Sequence, residues 1–139
     1  MQALSRILII KIVLTSSVWC IPLLFFPAAW LKGLGFPVPE PQVFLRLLGM
    51  AYVALVVGYG FGLCDARRQR HPKAVVWVGL VSNGGACLLL SIAALSKVWD
   101  GWGMIAQSIM WGSLFGTGVI AIGLAYFGLI ARYKPIRPD

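Results

Sequence analysis

Between Lys73 and Lys97 the chain reads Ala74-Val75-Val76-Trp77-Val78-Gly79-Leu80-Val81-Ser82-Asn83-Gly84-Gly85-Ala86-Cys87-Leu88-Leu89-Leu90-Ser91-Ile92-Ala93-Ala94-Leu95-Ser96, without one charged side chain. A bilayer core about 30 Å thick is crossed by about 20 helical residues, so this run reads as a transmembrane helix. Three other stretches meet the same requirement: about Ile7 to Ala29, Val43 to Leu63, and Met104 to Ile130. The last is long enough to tilt. Lipid offers no partner to a bare amide, so each span must be helical. Barrel strands would alternate apolar and polar residues over about ten positions, and the chain has no such pattern. The expected fold is all-α: a polytopic membrane protein, a single four-transmembrane-helix bundle over residues 1–139.

The composition agrees. Of 139 residues, 60% are hydrophobic and 12% charged, with a mean hydropathy of +0.87; soluble domains carry about 25% charged residues. The net charge of +8 would fit nucleic acid, but such a binder needs a polar surface that this chain lacks, and no nucleic-acid partner is expected. The charges sort by side instead. Arg6 and Lys11 precede the first span, Arg67, Arg68, Arg70 and Lys73 separate the second from the third, and Arg132, Lys134 and Arg137 follow the fourth. Only Lys32, Arg46 and Lys97 belong to the other side. The positive-inside rule then places both termini and the Asp65–Lys73 loop in the cytoplasm, in a plasma or bacterial inner membrane (N-in/C-in). Trp30, Trp99 and Trp102 would form an outer aromatic belt, and Trp77, Tyr126 and Tyr133 an inner one.

The first span imitates a signal peptide. Pro27-Ala28-Ala29-Trp30 is a poor cleavage site, however, and in Ser17-Val18-Trp19-Cys20 a tryptophan stands where a lipobox needs a small residue. The segment reads as a retained helix bent at Pro22. The spans pair into two hairpins without the internal repeat of a one-chain inverted-repeat transporter. Small residues recur every four positions: Ala54, Gly58 and Gly62 in the second span, Gly79, Asn83, Cys87 and Ser91 in the third, and Ser108, Gly112 and Gly116 in the fourth. This spacing lets helix backbones approach closely in lipid.

Asp65 and Asp100 fall at helix ends, Glu40 in a loop and Asp139 at the C-terminal end. A proton-coupled carrier usually relies on a membrane-embedded carboxylate, so that class is disfavoured. A single histidine, His71, cannot make a bis-histidine haem site. Lys11 is expected to snorkel to the interface, which leaves no mid-span lysine for a Schiff base. Cys20, Cys64 and Cys87 form no C-x-x-C pair and read as packing residues. No catalytic, cofactor-binding or metal-binding residue is expected.

Two polar groupings remain. Asn83, beside Ser82 near the middle of the third span, needs partners, and Thr15, Ser16 or Ser17 of the first span and Ser113 or Thr117 of the fourth are candidates. Arg46 and Gln107 each lie three residues into a span from the outer face, about 5 Å deep. With Glu40 and Asp100 they form a candidate outer pocket, in which arginine would grip a lipid phosphate or another anion. Snorkelling, or pairing with Glu40 or Asp100, is the plainer role for Arg46. The basic loop attracts anionic lipid, and topology alone accounts for it. Tyr52 and Tyr59 share a face of the second span, as packing residues or as a ligand platform.

The run Phe44-Leu45-Arg46-Leu47-Leu48-Gly49, followed by the small-residue stretch Ala51–Gly62, resembles small four-helix bacterial membrane proteins of the DoxX-like type. The resemblance covers mainly the first two spans. It implies a four-span layout and a link to membrane sulfur and quinone redox complexes, but this sequence has no redox residues to carry that activity. The expected function is a non-catalytic accessory, stabilising or assembly subunit of a larger membrane complex, with membrane lipids, other subunits or copies of itself as partners and structurally bound lipid in place of a cofactor. The alternatives are a homo-oligomeric channel or carrier with Asn83 lining a path, and a lipid- or quinone-binding redox subunit.

Overall fold

The computed structural model describes residues 2–130; the expectations placed on Arg132, Tyr133, Lys134, Arg137 and Asp139 lie outside them. Every regular element among the described residues is helical: α1 (Gln2–Phe25), the short α2 (Ala28–Gly33), α3 (Val43–Arg67), α4 (Lys73–Leu95) and α5 (Met104–Ile130). Four of these, α1, α3, α4 and α5, are long and apolar enough to cross a membrane.

Helix α1 passes through Pro22. A proline has no N–H, and its ring collides with the carbonyl four residues back. The helix accommodates it by widening into a π-turn over Ser16–Cys20, in which the Ile21 N–H reaches the Ser16 carbonyl. What ends α1 is the next proline. Phe26 and Pro27 are extended, with ψ of 132° and 154°, as expected when a following proline expels its neighbour from the helical region. The first helix is therefore Gln2–Phe25 rather than 7–29, and Ala28 and Ala29 belong to α2.

Helix α1 packs along α3, and α4 along α5; across the seam α1 meets α5 and α3 meets α4. At the end of the bundle that carries the basic loop, Leu4, Leu8, Tyr59, Val76 and Leu124 form the buried core. Two of the expected small-residue positions work here. Gly62 receives Val75, and a methyl on Gly79 would lie 2.7 Å from Leu124. Gly58, Gly112 and Gly116 do not act this way, since a Cβ on any of them would meet nothing within 4 Å. Ala54 and Ser108 are exposed.

The opposite end is closed by backbone. Gly35, at φ +87°, lies so close to Gly103 that any side chain would overlap its backbone. Gly103 N–H donates to the Gly35 carbonyl (3.1 Å) and Ala106 N–H to that of Leu34 (3.2 Å). Trp99 is buried here, edge-on to Trp111 at 5.7 Å, so it is a packing residue and not part of a belt. Trp30, Trp77 and Tyr126 are exposed. Phe25, Phe61, Leu89, Phe115 and Val119 are also exposed on the helix flanks. Large apolar side chains left exposed in this number suit helices whose length and composition fit a membrane.

Candidate functional site

The start of α1 at Gln2 changes the meaning of Lys11. At about 1.5 Å per residue, Lys11 lies about 14 Å along α1 from Gln2, and its side chain turns into the bundle. Its Nζ donates to Asn83 Oδ1 at 2.5 Å, and Asn83 occupies the middle of α4. The expected snorkelling of Lys11 is thus corrected, because its ammonium points inward at mid-span.

Asn83 is 1% exposed. Its Nδ2 donates to the Gly79 carbonyl (2.6 Å) and, more weakly, to Ser82 Oγ (3.4 Å). Ser82 Oγ is bonded to Tyr59 Oη at 2.9 Å, and the Lys11 ammonium lies 5.9 Å from the centre of the Tyr59 ring. Lys11, Tyr59, Ser82 and Asn83 therefore tie α1, α3 and α4 into one polar cluster. Magnitudes show why this is tolerated. A lysine at a span centre costs about 2.5–3.5 kcal/mol on insertion scales, and a hydrogen bond to a charged group returns about 1.5–3 kcal/mol.

Ser113 and Thr117 are not bonded to Asn83. Thr117 Oγ1 donates to the Ser113 and Leu114 carbonyls of its own helix. Both residues instead line, with Lys11, Thr15, Gly112 and Gly116, a cavity of about 270 Å³ between α1 and α5. Val18, Trp19, Ile109, Ser113 and Thr117 also line a second, larger cavity of about 430 Å³. That one extends toward the Gly35 end between Leu23, Leu45, Tyr52, Leu90, Trp102 and Met110. Its size falls within the range of small-molecule sites, about 300–1,000 Å³. The bundle is packed at one end and hollow at the other, with the Lys11 cluster at the boundary.

The candidate outer pocket is divided among separate partners. Arg46 donates to the carbonyls of Leu23 (2.6 Å) and Phe26 (2.7 Å) and to Gln42 Oε1 (3.1 Å). It thereby caps the C-terminal end of α1, where unpaired carbonyls attract a cation. Gln107 Nε2 donates to the carbonyls of Asp100 and Trp102, both at 3.0 Å. Glu40 pairs with Lys32 at 3.1 Å on the surface. Among the described residues no hydrogen bond joins Arg46 to Gln107, Glu40 or Asp100.

The two tyrosines part company. Tyr59 packs in the core, whereas Tyr52 stacks on Trp19 (5.9 Å) and walls the larger cavity. Cys20 is buried, Cys87 half-buried and Cys64 exposed, and all three are free thiols. Among the described residues no cluster of metal-ligating side chains occurs. His71, in the basic loop, bonds through Nε2 to the Gly128 carbonyl (2.8 Å), clasping that loop to the end of α5.

Sequence reasoning missed Lys11. The signal for it was present, because Ile7–Ile10 and Ile12–Leu14 surround a single charge that has no companion. Taking Arg6 as the edge of the span concealed its depth.

Comparison with family models, with curated protein sequences and with solved structures returns no match for this chain.

Proposed function

We propose that this chain is a non-catalytic integral membrane protein of the plasma or bacterial inner membrane, with both termini cytoplasmic, whose interior holds a lipid-soluble molecule. One observation carries the reading: a mid-span lysine lines a cavity that adjoins a larger apolar one. An ionisable side chain inside a membrane is costly, and its usual reason is function. The bias of basic residues toward the Asp65–Lys73 side supports the orientation. Native mass spectrometry of the full chain released from mild detergent tests the binding: a retained small-molecule adduct supports it, and a protein that is always empty overturns it.

The accessory-subunit reading rests on different residues. Gly58, Gly84 and Gly85 lie in helix interiors with open space where a side chain would be, and such residues favour close approach of another helix. A co-purifying membrane protein in mild detergent would support it, and a lone chain would count against it. The DoxX-like resemblance is compatible with both readings. The channel reading has weaker support, because Asn83 is buried within one chain and bonded there.

A further inference from the structure

We infer that the Lys11 cavity takes a single-chain lipophilic acid, with its carboxylate against Lys11 and its hydrocarbon tail in the larger cavity. This rests on the ligand-binding reading above and names the ligand class.

Charge is the first argument. Lys11 is the cation of the mid-span cluster, and among the described residues the one salt bridge, Lys32–Glu40, is elsewhere on the surface. The four acidic residues, Glu40, Asp65, Asp100 and Asp139, are in a loop, at helix ends or at the end of the sequence. Asn83 offers a carbonyl oxygen but no counter-charge. An ammonium has three donors, and the Asn83 bond uses one. A carboxylate satisfies the remaining donors and neutralises the charge, whereas an ester or quinone carbonyl accepts a hydrogen bond only.

Depth is the second. Asn83 lies in the middle of α4, about 15 Å along the helix from Lys73, so the ammonium bonded to it lies below the headgroup layer. The phosphate of a two-chain acidic lipid is held in that layer by its glycerol and second chain. A single-chain acid is under no such restraint.

Shape is the third. The larger cavity is walled mainly by apolar side chains, and it reaches the Lys11 cavity past Val18 and Trp19, where Ser113 and Thr117 line both. Exposed Leu14 and Gly112 also line the Lys11 cavity, which therefore opens sideways to lipid. The missing side chains of Gly112 and Gly116 keep it clear.

The test is equilibrium binding of labelled oleate and of methyl oleate to the full chain in nanodiscs of zwitterionic lipid. Oleate should bind saturably and at least about tenfold tighter than the ester. Lys11→Met should remove that preference, and Lys11→Arg should restore it. Gly116→Leu, whose new side chain meets no neighbour at its base, should weaken both ligands in a protein that melts normally. Equal binding of ester and acid to the unaltered chain overturns the head-group assignment while leaving the cavity reading intact. Binding of neither ligand overturns both. Displacement of oleate by dioleoyl phosphatidate overturns the single-chain claim. If Lys11→Met does not fold, the acid-to-ester comparison on the unaltered chain and the Gly116→Leu result decide.

Discussion

Lys11 and Asn83 are 72 positions apart and are joined by a hydrogen bond at the middle of the bundle. The pair ties α1 to α4 across the seam between the two hairpins, where helix packing is otherwise slight. Through Ser82 the same cluster holds Tyr59 of α3. It therefore separates the packed end from the hollow end and fixes the position of the Lys11 ammonium in the cavity wall.

This pairing makes the two residues energetically coupled. Asn83→Leu strands a lysine in an apolar surround and should cost about 2–3 kcal/mol. Adding Lys11→Met removes the stranded charge, so the double variant should be more stable than Asn83→Leu alone, as found when buried polar pairs are replaced together. Unfolding in mixed detergent micelles measures both. A double variant as unstable as the sum of its parts would mean that the bond is incidental.

The four spans were legible because length and hydropathy alone decide what can cross a bilayer. The interior was legible only in part. Asn83 was identifiable as an amide in need of partners, but the partner came from the first span through Lys11, since helix ends control depth and hydropathy places those ends loosely. Phe26–Pro27 ended α1 earlier than its apolar run implied, and Arg46 was drawn to the carbonyls left open there instead of toward Glu40 or Asp100. Gly58 and Gly79 carry the same sequence signature, yet only Gly79 meets a neighbour. A four-residue period marks a helix face without saying what lies opposite it.

Arg46 holds two backbone carbonyls at once, which a lysine cannot imitate. Arg46→Leu should therefore loosen the end of α1 and the cavity wall around Leu23, with faster hydrogen exchange at Phe25–Trp30 and little change in α5. Arg46→Lys should recover only part of the protection. Unchanged exchange in Arg46→Leu would show that the cap contributes nothing to order.

The Gly35–Gly103 contact leaves no room for a Cβ, and Gly35 has a left-handed φ that other residues adopt at a cost. Gly35→Ala should lower stability by about 1–3 kcal/mol. The contrast is Gly58→Ala, in a helix interior with nothing within 4 Å, which should be neutral or gain up to about 1 kcal/mol. Melting temperatures of the two variants in one detergent compare them directly. The reverse order would contradict the closed end described above.

Orientation can be read from two surface positions. With Lys11 counted as interior, Arg6, Arg67, Arg68, Arg70 and Lys73 still face one side, against Lys32, Arg46 and Lys97 on the other. The positive-inside rule weights short loops most heavily, and the loop around Arg68 is short and basic. In a chain with Cys20, Cys64 and Cys87 replaced by alanine, Arg68→Cys should react with a membrane-impermeant maleimide only in inside-out vesicles. Gly101→Cys, in the exposed turn between α4 and α5, should react only in right-side-out vesicles. The opposite pattern would invert the topology and place the closed Gly35 end in the cytoplasm.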